Sequence, residues 1–68
     1  MALSARNHLQ GEITEVILGT VTALITLKVG DNVVESVITK RSAEEMGLKK
    51  GDKVTAVIKA TEVMIQKG

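Results

Sequence analysis

Sixty-eight residues without a cysteine, without Phe, Tyr or Trp, and with a formal net charge of only +1 define this chain first by what it lacks. The length holds one domain at most, spanning 1–68; disulfides and thiolate metal sites are excluded; and both the basic footprint and the stacking rings of a nucleic-acid binder are missing. A core this small needs a staple, and since 44% of the residues are apolar, many of them Val and Ile, self-association is the staple that remains.

The chain opens on a cluster of hydrogen-bond donors. In "SARN" (4–7), Ser4, Arg6 and Asn7 can all donate, and Ala5 leaves the backbone between them accessible. His8 follows, a lone imidazole that cannot build a metal site by itself. "GEITEVIL" (11–18) is rich in β formers and breaks at Gly19. "VTALITLKV" (21–29) alternates, with Val21, Ala23, Ile25, Leu27 and Val29 on one face and Thr22, Leu24, Thr26 and Lys28 on the other. "GDN" (30–32) is a turn whose Gly and Asn tolerate positive φ, and "VVESVIT" (33–39) returns as the second arm of a hairpin.

A short helix is expected over "SAEEMGL" (42–48), with Ser42 as its N-cap, Glu45 at the capping-box spacing and Gly47 at its C-terminal end. "KKGD" (49–52) turns the chain into "KVTAVIKATEVMI" (53–65), which reads as two strands or one bent strand. Leu24 on the polar face, and the doublets Val33–Val34 and Val37–Ile38, imply that both sheet faces are covered, the second by another subunit. The fold expected is all-β, a small five-stranded barrel of the OB type with one short helix, assembled as an oligomer.

The acids lie mostly in turns, on alternating strand faces or in the helix cap, where a solvated face explains them. No tuned acid, base or nucleophile set is placed by the pattern, and no phosphate-cradling loop occurs, so an enzyme is not expected. What remains is a set of donors. Arg6 and Lys59 are cations with no acceptor capacity, and Ser4, Thr39 and Ser42 have hydroxyls that rotate to donate. A tetrahedral oxyanion that stays deprotonated at neutral pH has acceptors only, and a pocket of donors suits it. Each residue also has a plainer role: Ser42 as a cap only, Lys59 as a side chain snorkelling from a strand edge. The residues alone thus lead to an oligomeric small β-barrel with candidate anion-binding groups.

The segments "SARN-x-L" (4–9), "LGTV" (18–21), "VIT-x-x-S" (37–42) and "GLKKGDKVTAVIKATEVMI" (47–65), in this order, resemble the molbindins, the molybdenum-pterin-binding protein family. The single domain resembles the free-standing storage form more than the domains fused to molybdate transporters and regulators. The resemblance implies an OB-like barrel, a homo-hexamer built as a trimer of dimers, and molybdate or tungstate bound between subunits as the bare oxyanion, with no cofactor. It implies a primary site using Ser4, Ala5, Arg6 and Asn7, completed from a neighbouring chain by Thr39, Ser42, Lys59 and the backbone of Ala60. It also suggests a secondary site near the three-fold axis at Gly19, Thr20, Val21 and Thr22.

No apolar run reaches the length of a membrane span, and the start lacks a basic stretch followed by an apolar one. A cytoplasmic location is therefore expected, with no membrane and no nucleic-acid partner. Two other functions stay open to the residues alone: a structural oligomerisation module in which "SARN" only seals an interface, and an OB-type nucleic-acid-binding domain, which the missing aromatics disfavour.

Overall fold

The computed structural model describes residues 3–68. In chain order it forms β1 (Asn7–Leu18), β2 (Thr22–Val29), β3 (Asn32–Thr39), α1 (Lys40–Met46), β4 (Lys53–Ile58) and a 3-10 turn at Ala60–Glu62. The strands make one antiparallel sheet in the order β3-β2-β1-β4.

β1 serves two partners in succession. Its first half pairs with β4, from Asn7↔Ile58 to Glu12↔Lys53. Its second half pairs with β2, from Glu12↔Lys28 to Leu18↔Ala23, and the register shifts between Ile13 and Glu15. The extra residue at this bulge resets the alternation, so Ile13 is buried and Val16, three residues on, packs against the same core. The freed backbone of Ile13 is taken up by the loop before β4: its N–H donates to the Asp52 carbonyl at 2.9 Å, and its carbonyl accepts from the Gly51 N–H at 2.8 Å.

Gly11, just before the bulge, is a site of close approach. A Cβ there would lie 2.6 Å from the Lys28 carbonyl oxygen and 2.9 Å from Val29 Cγ2. Because the first obstacle is backbone, β1 and β2 would have to part. Gly11→Ala is expected to cost about 1–3 kcal/mol of stability, measured by urea denaturation.

Ile13, Ala23, Ile25 and Ala43 are the buried centre, with Val16, Ile38, Leu48 and Val54 packed on it. The alternation expected for β2 holds at Ala23, Ile25 and Leu27, all buried. Val21 departs from it at 70% exposure, because the strand starts one residue later. The β2–β3 turn is tighter than expected: Gly30 takes φ +60°, while Asn32 already pairs with Val29 in the ladder. β3 and β4 are the edges of the sheet, and the curl of the sheet sets their inner faces on opposite walls of an apolar cleft of about 360 Å³ that also holds Ile13, Met46 and Leu48.

Two expectations need correction. The helix begins at Lys40, and its N-cap is Thr39, whose hydroxyl accepts from the Ser42 N–H; Ser42 therefore stands at the third helical position and is not the cap. β3 runs into α1 without a loop, so the last strand residue is also the cap. Glu45, displaced from the capping box, pairs with Arg41 one turn earlier at 3.3 Å. Gly47 ends the helix in the left-handed conformation, as expected.

Of the two readings of 53–65, two strands or one bent strand, the chain has a single strand that ends at Ile58, and the described residues form a four-stranded sheet where five strands were expected. β4 stops at Ile58 because β1, its partner, begins at Asn7 and offers no further ladder. Beyond the 3-10 turn, Met64 and Ile65 stand about nine-tenths exposed.

Candidate functional site

Asn7 is the first residue of β1, and its Nδ2 donates to the Ile58 carbonyl at 3.2 Å. That bond closes the β1–β4 ladder and sets Lys59 and Ala60 beside the "SARN" segment. Asn7 and Ile58 are half-buried cross-strand partners. Arg6 and Lys59 are the residues just outside the two strands, and both are exposed, as are His8 and Val57. The ion pairs among the described residues are Arg41–Glu45 and Lys53–Glu12, and neither Arg6 nor Lys59 takes part in them. Ser4, Arg6, Lys59 and Ala60 are exposed; Ala5 is half-buried, and its carbonyl accepts from the His8 ring at 3.2 Å. Six of the eight primary candidates thus meet at one end of β1.

Thr39 and Ser42 lie elsewhere. The Thr39 hydroxyl accepts from the Ser42 N–H at 3.0 Å and lies 2.8 Å from the Ser42 hydroxyl. One of the two hydroxyl protons is spent on that mutual bond, so the pair has one free O–H to offer, not two. Thr39 is the cross-strand partner of Thr22, and the Lys40 N–H donates to the Val21 carbonyl at 2.8 Å. The Gly19 N–H donates to the Thr22 carbonyl at 2.8 Å and closes the β1–β2 connection. Thr39 and Ser42 therefore border the secondary set of Gly19, Thr20, Val21 and Thr22, a proximity the linear sequence did not reveal. Thr39→Ala removes the cap and should lower stability by about 1 kcal/mol, readable as a drop in thermal midpoint without ligand.

These two groups stand at opposite ends of β1, since Asn7 opens the strand and Leu18, next to the Gly19 turn, closes it. The strand runs twelve residues between them, with the bulge near its middle. Between them lies a polar cleft of about 550 Å³, lined by Gln10, Glu12, Lys28 and Lys53 among others and holding none of the candidates. There Lys53 Nζ sits 2.9 Å from Glu12 and, by that hydrogen bond and its charge, holds the Glu12 carboxyl below its ordinary range. Among the described residues no cluster of His, Asp and Glu is placed to hold a metal ion. The sequence pointed to His8 only as a lone imidazole unable to build a metal site; its bond to the Ala5 carbonyl had no signal beyond a ring three residues further on.

A curled antiparallel sheet with one short capped helix, bearing donor sets at both ends of its longest strand, places the chain among small β domains. The chain belongs to the TOBE-domain family, whose model matches residues 3–65. Its relatives there are molybdenum-pterin-binding proteins. Molybdenum-pterin-binding protein 3 of Clostridium pasteurianum is 47% identical over 66 residues, covering 96% of this chain and 97% of that one. A molybdate-binding protein from Sporomusa ovata superposes with a TM-score of 0.94 at 39% identity, over 98% of this chain and all of that one. The cytoplasmic molybdate-binding protein ModG, in a form with molybdate bound, gives 0.82 at 41% identity over 88% of this chain and 43% of that one.

Proposed function

We propose that this chain binds molybdate, and tungstate by similarity of size and charge, at sites shared between subunits of a homo-hexamer arranged as a trimer of dimers. It holds the oxyanion inside the cell without altering it, as a store or buffer. The observation that carries this reading is the likeness over nearly the whole chain to solved molybdate-binding proteins. The donor placement supports it. The end with Arg6 and Lys59 supplies cations and the end with Thr39, Ser42, Thr20 and Thr22 supplies hydroxyls, so a neighbour's end meeting this chain's would complete a cage. In that cage Ser4, Arg6 and Lys59 face Thr39 and Ser42, while Gly19–Thr22 serve a second site. The chain has no Phe, Tyr or Trp to stack on a pterin ring, and its candidate groups are donors, which suit a bare oxyanion.

Self-association has its own support. The registers align Ile17, Leu24 and Val37 across three strands on the outer face of the sheet. Ile17 is 49% and Val37 68% exposed in the single chain. A contiguous apolar row of this kind marks an interaction surface; Met64 and Ile65 are further exposed apolar side chains.

Sulfate carries the same charge as molybdate, so selection rests on size and donor geometry. Phosphate keeps a proton for which a cage of donors has no acceptor. The test is isothermal titration of the purified oligomer, its mass fixed by sedimentation, with molybdate, tungstate and sulfate. Saturable heat with the first two, and binding at least tenfold weaker for sulfate, is expected. A folded protein giving no heat with any of the three would leave only an oligomerisation module.

A further inference from the structure

We propose that His8 is a positioning residue for the oxyanion site: its ring fastens the Ala5 carbonyl and so fixes the directions in which Ser4 and Arg6 present their donors. This rests on the reading of the "SARN" end as a binding segment, and it adds to that end a residue outside the donor set.

The segment before β1 is anchored from two sides. Asn7, on the inner face, holds the Ile58 carbonyl at 3.2 Å. His8, one residue on and facing outward, holds the Ala5 carbonyl at 3.2 Å. Without the second bond, residues 4–6 would extend from Asn7 on a single tether. With it, the Ala5 carbonyl is tied to the His8 ring across Arg6 and Asn7, and Ser4 and Arg6 flank the fastened residue. Orientation matters most for Arg6, because a planar guanidinium binds an oxyanion through paired, directional N–H bonds.

The partner settles the chemistry of the ring. A carbonyl oxygen only accepts, so Nε2 must carry the hydrogen, and in the neutral ring Nδ1 is left as an acceptor. The position thus calls for a donor at the reach of Nε2. Gln can place an amide N–H at a similar distance from the backbone; Ala cannot, and Leu fills the volume without donating.

Two measurements test this on the full-length oligomer. The chain has a single histidine, so ring resonances need no assignment by mutation. Long-range ¹H–¹⁵N correlation of the ligand-free protein above neutral pH should show the Nε2–H tautomer, and hydrogen exchange at Arg6 should be faster in His8→Ala than in wild type. Titration with sodium molybdate should show His8→Ala and His8→Leu weakened about fivefold, the worth of one ordinary hydrogen bond, with His8→Gln within twofold of wild type. A dominant Nδ1–H tautomer, wild-type affinity in His8→Ala, or a glutamine variant as weak as the alanine one would each overturn the proposal. Were wild type itself to bind no molybdate, the reading of the site would fail, while tautomer and exchange rate would still decide whether His8 fastens the segment.

Discussion

Arg6→Ala should weaken molybdate binding about 30- to 4,000-fold and leave the unliganded fold unchanged. The guanidinium is exposed and takes part in neither ion pair found among the described residues, so the free chain loses little with it. In the proposed site it meets a desolvated dianion, and truncating one side of a buried, hydrogen-bonded charge pair costs roughly 2–5 kcal/mol, which is that range of affinity at about 1.4 kcal/mol per tenfold. Arg6→Lys keeps the charge and loses the planar fork, and it should fall between the two. Titration calorimetry with molybdate, beside thermal denaturation without it, separates a binding effect from a folding effect. An alanine variant that binds as tightly as wild type would remove Arg6 from the site.

Ile13→Ala should be the most damaging single change to the fold. Ile13 is 1% exposed and the largest side chain buried so completely. Truncation of such a residue costs about 2–5 kcal/mol, against a total of roughly 3–10 kcal/mol for a domain of this length. The thermal midpoint should drop by about 10–40 °C. Ligand present at about a hundred times its dissociation constant should return ~2.7 kcal/mol, so molybdate should raise the midpoint of the variant measurably. Circular dichroism melts with and without the anion check both statements. A variant melting within a few degrees of wild type would mean that the bulge can collapse around the missing side chain.

The sequence made some of this plain and hid the rest for physical reasons. Ala23, Ile25 and Leu27 recur at every second position and were legible, because one face of β2 is buried by its own chain. Gly47 was legible because a left-handed residue favours glycine. The start of β1 was not: Asn7 to Gln10 lack a strand pattern of their own and are extended because β4 returns to pair with them. Likewise Ser42 looked like a cap from its spacing to Glu45, but continuity of β3 with the helix moved the cap to Thr39. The missing fifth strand has the same origin, since the apolar pattern of 63–65 says nothing about whether an edge is available. For the site, residue type identified Arg6 and Lys59 as donors, while their neighbourhood depends on the Asn7↔Ile58 pairing between residues 51 apart.

The placement of the Arg6–Lys59 set and the Thr39–Ser42 set at the two extremities of β1 bears on how the anion would be let go. If a complete cage exists only where two copies meet, occupancy and assembly are thermodynamically linked, and each shifts the other by mass action. Apparent affinity would then climb with protein concentration, and diluting the protein would discharge its cargo as surely as depleting the free anion around it.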